Sequence, residues 1–292
     1  METANNKRVF EPVAIEFISE DGLQLKADSW GDPSNPPVIM LHGGGQTRHA
    51  WGNTGRKLAE FGWYAISLDM RGHGESAWSV EGNYGLRPMV NDLVTLTSKL
   101  QHKPVFVGAS MGGMTALMAQ GYLAPGLGQA LVLVDIAPRM ESKGVARIVD
   151  FMRAHQKGFA TLEEAADAVA GYRQQRGRPT DINGLRKNLR LREDGRYYWH
   201  WDPQIFSPKD PSVMRDYGKL HEAARALDVP TLLVKGKHSD VVSEASVREF
   251  MALVPHAEFV DVSGAGHMVA GENNDEFCAA ILDFLERNCR KA

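Results

Sequence analysis

The chain has 292 residues, 43% hydrophobic and 24% charged. That is long enough to bury a large core without disulfide or metal staples, and its composition excludes a disordered or fibrous protein. A formal net charge of -3 gives no overall attraction to nucleic acid or to an anionic membrane, so neither is expected as a partner.

In chain order, VAIEFIS at 13–19 and LQLKADSW at 23–30 alternate apolar with polar residues and predict an opening antiparallel hairpin. The opening stretch METANNKRVFEPVAIEF lacks the apolar segment of a secretory signal, and no apolar run reaches the ~18 to 20 residues of a membrane helix, so the expected location is cytoplasmic. PVIMLH at 37–42, WYAISLD at 63–69, PVFVG at 104–108, ALVLVD at 130–135 and PTLLVKG at 230–236 are near-continuous apolar runs separated by helical patterns. Such runs predict strands buried on both faces, hence an α/β fold with a parallel sheet. AEFVDV at 257–262 adds a last strand and DEFCAAILDFLER at 275–287 a closing amphipathic helix. The two cysteines, Cys278 and Cys289, fall on that helix. A rise of about 1.5 Å per residue separates them by about 16 Å, too far for a disulfide, and predicts free thiols.

Between Arg139 and Asp228 the rhythm changes to helical patterns without a convincing buried strand. This predicts an inserted helical cap, 139–228, dividing the core into 1–138 and 229–292. The insertion holds 17 Lys and Arg against 13 Asp and Glu. Its arginine-rich part, 173–196, reads first as a solvated helical face and second as a rim favouring anionic substrates.

Gly108-Ala109-Ser110-Met111-Gly112 matches G-x-S-x-G, with a valine-rich strand before it and a helical pattern after it. A serine on so sharp a turn takes strained backbone angles, and side chains at the flanking positions would collide with the turn. Its hydroxyl then stands at a helix N-terminus, where unpaired N–H groups favour developing negative charge. His42-Gly43-Gly44-Gly45 follows an earlier strand and lets backbone approach a substrate closely.

HGGG at 42–45, DMRGHGES at 69–76, GASMGG at 108–113, SDVVS at 239–243 and GAGHMVAGEN at 264–273 occur in one order along the chain. In that order the chain resembles the α/β-hydrolase superfamily over nearly its whole length, in the branch with a helical cap. The resemblance implies a mostly parallel eight-stranded sheet flanked by helices. It implies Ser110 as nucleophile, His267 as its base, and backbone N–H groups of Gly44 and Met111 as the oxyanion hole. For the acid it leaves two candidates beyond strand ends, Asp240, which is favoured, and Asp135. His42, His73 and Asp69 are expected to be structural. No metal and no organic cofactor is implied.

The aromatic cap segment at 196–203, with Phe206 nearby, either roofs an apolar pocket or anchors the cap. Tyr198, Trp199 and Trp201, with Trp51, Met114 and Met268, are the expected substrate-binding side chains. The expected reaction on a small-molecule substrate is hydrolysis of a carboxylic ester or lactone. Carbon–carbon hydrolysis of ring-cleavage products and ligand binding with little turnover are the alternatives. Cap aromatics leave room for a homodimer.

Overall fold

A computed structural model describes residues 10–172, 182–206, 216, 218–263 and 274–289. Among these, ten strands form two sheets: β1 (Val13–Ile18), β2 (Gln24–Trp30), β3 (Pro37–Leu41), β4 (Tyr64–Asp69), β5 (Val105–Ala109), β6 (Ala130–Val134), β7 (Leu189–Leu191), β8 (Tyr197–Trp199), β9 (Thr231–Gly236) and β10 (Glu258–Val262). The main sheet has eight strands in the order β1-β2-β4-β3-β5-β6-β9-β10. Its β1–β2 and β2–β4 pairs are antiparallel and the rest parallel.

The parallel strands are apolar on both faces because helices cover both. In β3, Val38 and Met40 join one buried cluster and Ile39 and Leu41 the other. The first cluster is closed by α1 (Gly52–Glu60), through Leu58 and Ala59, and by the last helix, through Phe277, Ile281 and Phe284. The second is closed by α2 (Leu86–Thr97) and α3 (Met111–Met118) among others. Chain progression reverses at β3, whose neighbours are β4 on one side and β5 on the other. The crevice beyond the carboxyl ends at such a reversal is where open α/β sheets bind ligands.

Between β6 and β9 the described residues add no strand to the main sheet. It carries α4 (Ser142–Arg153), α5 (Leu162–Tyr172), the β7–β8 hairpin, a short turn of helix at Pro203–Phe206, and α6 (Leu220–Arg225). The hairpin departs from the all-helical expectation. Strands of three residues, LRL and YYW, are too short to show a period of two in sequence. After β9 come α7 (Glu244–Leu253), β10 and α8 (Asn274–Asn288). Cys278 and Cys289 are both buried, and no disulfide joins them, as expected.

The inserted segment is tied to the core by polar contacts at its seam. Asp202 N–H donates to Gly72 O at 2.8 Å, Tyr84 Oη donates to Asp202 at 2.6 Å, and Glu141 N–H donates to Val241 O at 2.8 Å. Three buried imidazoles continue the seam: His42 from the end of β3, His73 from the turn after β4, and His200 from the insertion. Their ring centroids are 4.9 Å (His42–His73) and 5.8 Å (His73–His200) apart.

Burial pushes all three imidazoles below the ordinary histidine range, His200 to about 3, so each is neutral in the fold. The unfolded chain protonates the same side chains below about pH 6.5, and it then binds more protons than the native state. Stability contributed by neutral burial is therefore complete above that pH and is lost as the pH falls below it, by at most about 1.4 kcal/mol per pH unit for each imidazole. Urea denaturation at pH 7.5, 6.0 and 5.0 is expected to show the midpoint dropping between the second and third conditions. A midpoint that holds steady to pH 5.0 contradicts neutral burial.

Candidate active site

Ser110 sits between β5 and α3 with φ 46° and ψ -114°, outside the conformations an L-residue prefers. The turn persists because its surroundings determine it. Ser110 N–H donates to Val134 O at 3.2 Å, and Gly112 N–H donates to His42 O at 3.1 Å. No side chain fits at either flank. A Cβ on Gly108 would lie 2.6 Å from the Gly112 carbonyl, and one on Gly112 would lie 2.5 Å from Leu41 O. The serine is partly exposed and its hydroxyl has no hydrogen-bond partner among the described residues.

Beside it runs the loop Gly43–Gly45, and Gly43 comes so close that a Cβ there would lie 3.3 Å from Ser110 Cβ. Three consecutive peptide planes of this loop are each held by a different imidazole. Gly43 C=O accepts from His42 Nδ1 at 2.8 Å, Gly45 N–H donates to His73 Nε2 at 3.2 Å, and Gly45 C=O accepts from His200 Nε2 at 3.1 Å. The far ring nitrogens set the tautomers: His42 Nε2 accepts from Met70 N–H at 3.0 Å, and His200 Nδ1 from Gly74 N–H at 2.8 Å. Gln46 closes the loop by accepting Gly43 N–H at Oε1 and donating its own N–H to Gly43 O. Gly44 N–H is left without an acceptor among the described residues, and so is the N–H of Met111, first residue of α3.

The two acid candidates stand in contrasting places. Asp135 follows β6, fully buried, with φ 50°. Its carboxylate accepts from Ser239 Oγ at 2.6 Å and from Gly236 N–H at 3.2 Å, both from the end of β9 and the loop after it. Asp240, favoured from sequence, is partly exposed, and its carboxylate pairs with Arg147 of α4 at 2.7 Å. His267 and Met268 lie outside the described residues, in the segment that joins β10 to α8.

The expected substrate-binding side chains scatter. Trp51 is 1% exposed and packs against Phe277 in the cluster under α1 and α8, on the opposite face of the sheet from Met111 and Met114. This large aromatic, expected to bind substrate, has been taken up by the core. Tyr198 turns outward: its hydroxyl donates to Asp194 at 2.7 Å and Arg192 lies 4.0 Å over its ring. Met114, Trp199 and Trp201 are buried together in the cluster on the site's face of the sheet. Trp199 stacks on Trp201 at 4.8 Å and meets Phe159 edge-on at 5.0 Å. Over the glycine loop itself stand Phe206, Met152 and Trp201. Cβ atoms built on Gly44 and Gly45 would meet Phe206 at 3.3 Å and Trp201 at 3.3 Å, with the Met152 sulfur nearer still. Met152 carried no signal in sequence, since one apolar residue on an amphipathic helix looks like any other. The same holds for Ser239, which reads as a polar loop residue until its contact with Asp135 is seen.

Among the described residues, no group of His, Cys, Asp and Glu is placed to hold a metal ion, and no helix is long and apolar enough to cross a membrane.

Comparison with known proteins shows the family. The family described by the α/β hydrolase fold matches residues 36–273. Esterase Rv0045c of Mycobacterium tuberculosis is 30% identical over 263 residues, spanning 85% of this chain and 82% of that protein. Esterase YbfF of Escherichia coli is 30% identical over 259 residues, spanning 86% and 94%. A crystal structure of an α/β hydrolase from Novosphingobium aromaticivorans superposes with a TM-score of 0.77 at 26% identity, covering 95% of this chain and 99% of that one. A strained serine between strand and helix, a glycine loop beside it and a family match across most of the sequence lead to one conclusion: the chain belongs to the α/β-hydrolase fold family.

Proposed function

We propose that the chain is a serine hydrolase that cleaves carboxylic esters or lactones by acyl transfer. The observation that carries this reading is the pairing of Ser110, at φ 46°, with two backbone N–H groups, Gly44 and Met111, that have no acceptor among the described residues. Ser110 attacks the carbonyl, and the N–H groups meet the negative charge that develops on its oxygen. Preorganised donors of this kind contribute roughly 3 to 4 kcal/mol each to the transition state. The relatives named as esterases support the ester as substrate.

In this reading His267 takes the proton from Ser110 and delivers it to the leaving alcohol, then activates water for deacylation. We assign the acid to Asp135 rather than Asp240. A triad acid holds the imidazole in one tautomer and stabilises the imidazolium, which calls for a buried carboxylate of fixed orientation. Asp135 is buried beside the nucleophile strand and gripped by Gly236 and Ser239, whereas Asp240 is engaged by Arg147 at the surface. Phe206, Met152 and Trp201 are the side chains placed to meet an apolar acyl group. Met268, which follows His267 in sequence, is assigned to substrate binding in this reading. The chain needs no cofactor for this chemistry.

A p-nitrophenyl ester series run on the native protein and on Ser110→Ala is expected to show turnover lost by at least about 10³-fold in the variant. Undiminished hydrolysis by Ser110→Ala rules out the mechanism. Asp135→Asn is expected to lower kcat by about 10²- to 10⁴-fold while Asp240→Asn stays within about threefold of native. The reverse ranking returns the acid role to Asp240.

A further inference from the structure

We propose that His200, a residue of the inserted segment, is a positioning residue of the oxyanion hole, so that the hole keeps its donating geometry only while the insertion is seated on the core. The inference rests on the acyl-transfer reading above.

The route from His200 to the oxyanion donor is short and made of peptide planes. Gly45 C=O and Gln46 N–H belong to one plane; His200 Nε2–H holds its carbonyl at 3.1 Å, and its N–H reaches Gly43 O at 3.1 Å. Gly43 C=O and Gly44 N–H belong to another plane. Turning the first plane therefore pulls on the carbonyl that sets the direction of Gly44 N–H. Three successive glycines, with Gly45 at φ 73°, offer no Cβ to resist such turning, so hydrogen bonds decide the loop's conformation.

His200 is well fixed for this work. It is 2% exposed, its Nδ1 accepts from Gly74 N–H at 2.8 Å, and its ring meets Trp201 edge-on at 5.2 Å. The other two imidazoles on the loop come from the core itself. His200 alone among the three is contributed by the segment between β6 and β9, and its neighbours bind that segment to the same turn: Arg190 donates to Gly74 O, and Asp202 N–H to Gly72 O at 2.8 Å. A buried histidine of purely structural use would satisfy its nitrogens anywhere. This one spends its donor on the loop that carries the oxyanion amide. If the insertion lifts, Gly45 C=O passes to water, which donates from any direction and leaves the loop unaligned.

The test compares full-length native protein, His200→Phe and His200→Gln in steady-state hydrolysis of p-nitrophenyl butyrate. Urea denaturation and amide spectra of glycine-labelled protein accompany each. His200→Phe keeps the ring without donor or acceptor. It is expected to lose about 10- to 100-fold in kcat with KM changed by less than about threefold, the effect of a misplaced oxyanion donor. The Gly44 and Gly45 amide resonances should move with it. His200→Gln can donate from its amide nitrogen to Gly45 and accept at its oxygen from Gly74, and is expected to recover most of the loss. A cooperatively folded His200→Phe that keeps native kcat overturns the proposal, and so do unmoved glycine resonances or a glutamine variant as impaired as the phenylalanine one. Should His200→Phe not fold, His200→Gln against the shorter His200→Asn decides by the same measures. Failure of the acyl-transfer reading is distinguishable: Ser110→Ala would then hydrolyse the ester as fast as native protein, and the glycine resonances would still judge His200.

Discussion

The hydrogen bond from Gly112 N–H to His42 O, 3.1 Å long, joins the first turn of α3 to the end of β3, and the site depends on that closeness. It brings a glycine loop against a serine turn at the point where the order of strands reverses. No side chain could stand between them, since a Cβ on Gly112 would lie 2.5 Å from Leu41 O. The sheet supplies the rigid base: β3 and β5 pair in register from Val38–Val105 to Leu41–Gly108, so both turns start from the same edge. Strain at Ser110 is then sustained by packing that no local rearrangement can relieve without separating the two strands.

Around this contact the protein buries polar groups that would be costly if left unpaired, and it pairs them with side chains and backbone of neighbouring elements. Arg71 bridges Asp92 and Asp21 beneath the turn after β4, and Arg48 pairs with Asp28, Asp69 and Glu75 beside it. The neutral imidazoles of His42, His73 and His200 do the same for the glycine loop. Buried polar networks that are satisfied in this way hold one conformation more firmly than apolar packing, because each partner has a direction. The insertion takes part through His200 and Asp202, so its placement and the loop's shape are parts of one hydrogen-bonded arrangement.

Much of the fold could be read along the chain. Each apolar run from Pro37 to Gly236 named as a strand is one in the main sheet, because burial on both faces leaves a continuous signature that needs no partner to be recognised. The serine turn was legible for a local reason too: the glycines around Ser110 answer to collisions within a few residues of themselves. Trp51 shows where such reading ends. As a large aromatic it was expected to line a pocket, but a strand and its following helix have two sides, and only the packing of α8 put Phe277 against it on the far one.

The sequence by itself determined the fold class, the serine turn and the glycine loop, since these follow from periodicity and from steric limits acting over short stretches. Only the tertiary structure decided which groups meet across the sheet. Ser239 reaches Asp135 from 104 residues away, Arg147 engages Asp240 across the seam with α4, and His200 arrives at Gly45 from 155 residues further along the chain. A carboxylate or an imidazole looks the same in sequence whether it is solvated, paired or aimed at a loop. Its role is set by the direction of its neighbours, and that direction exists only once the strands and the insertion have packed.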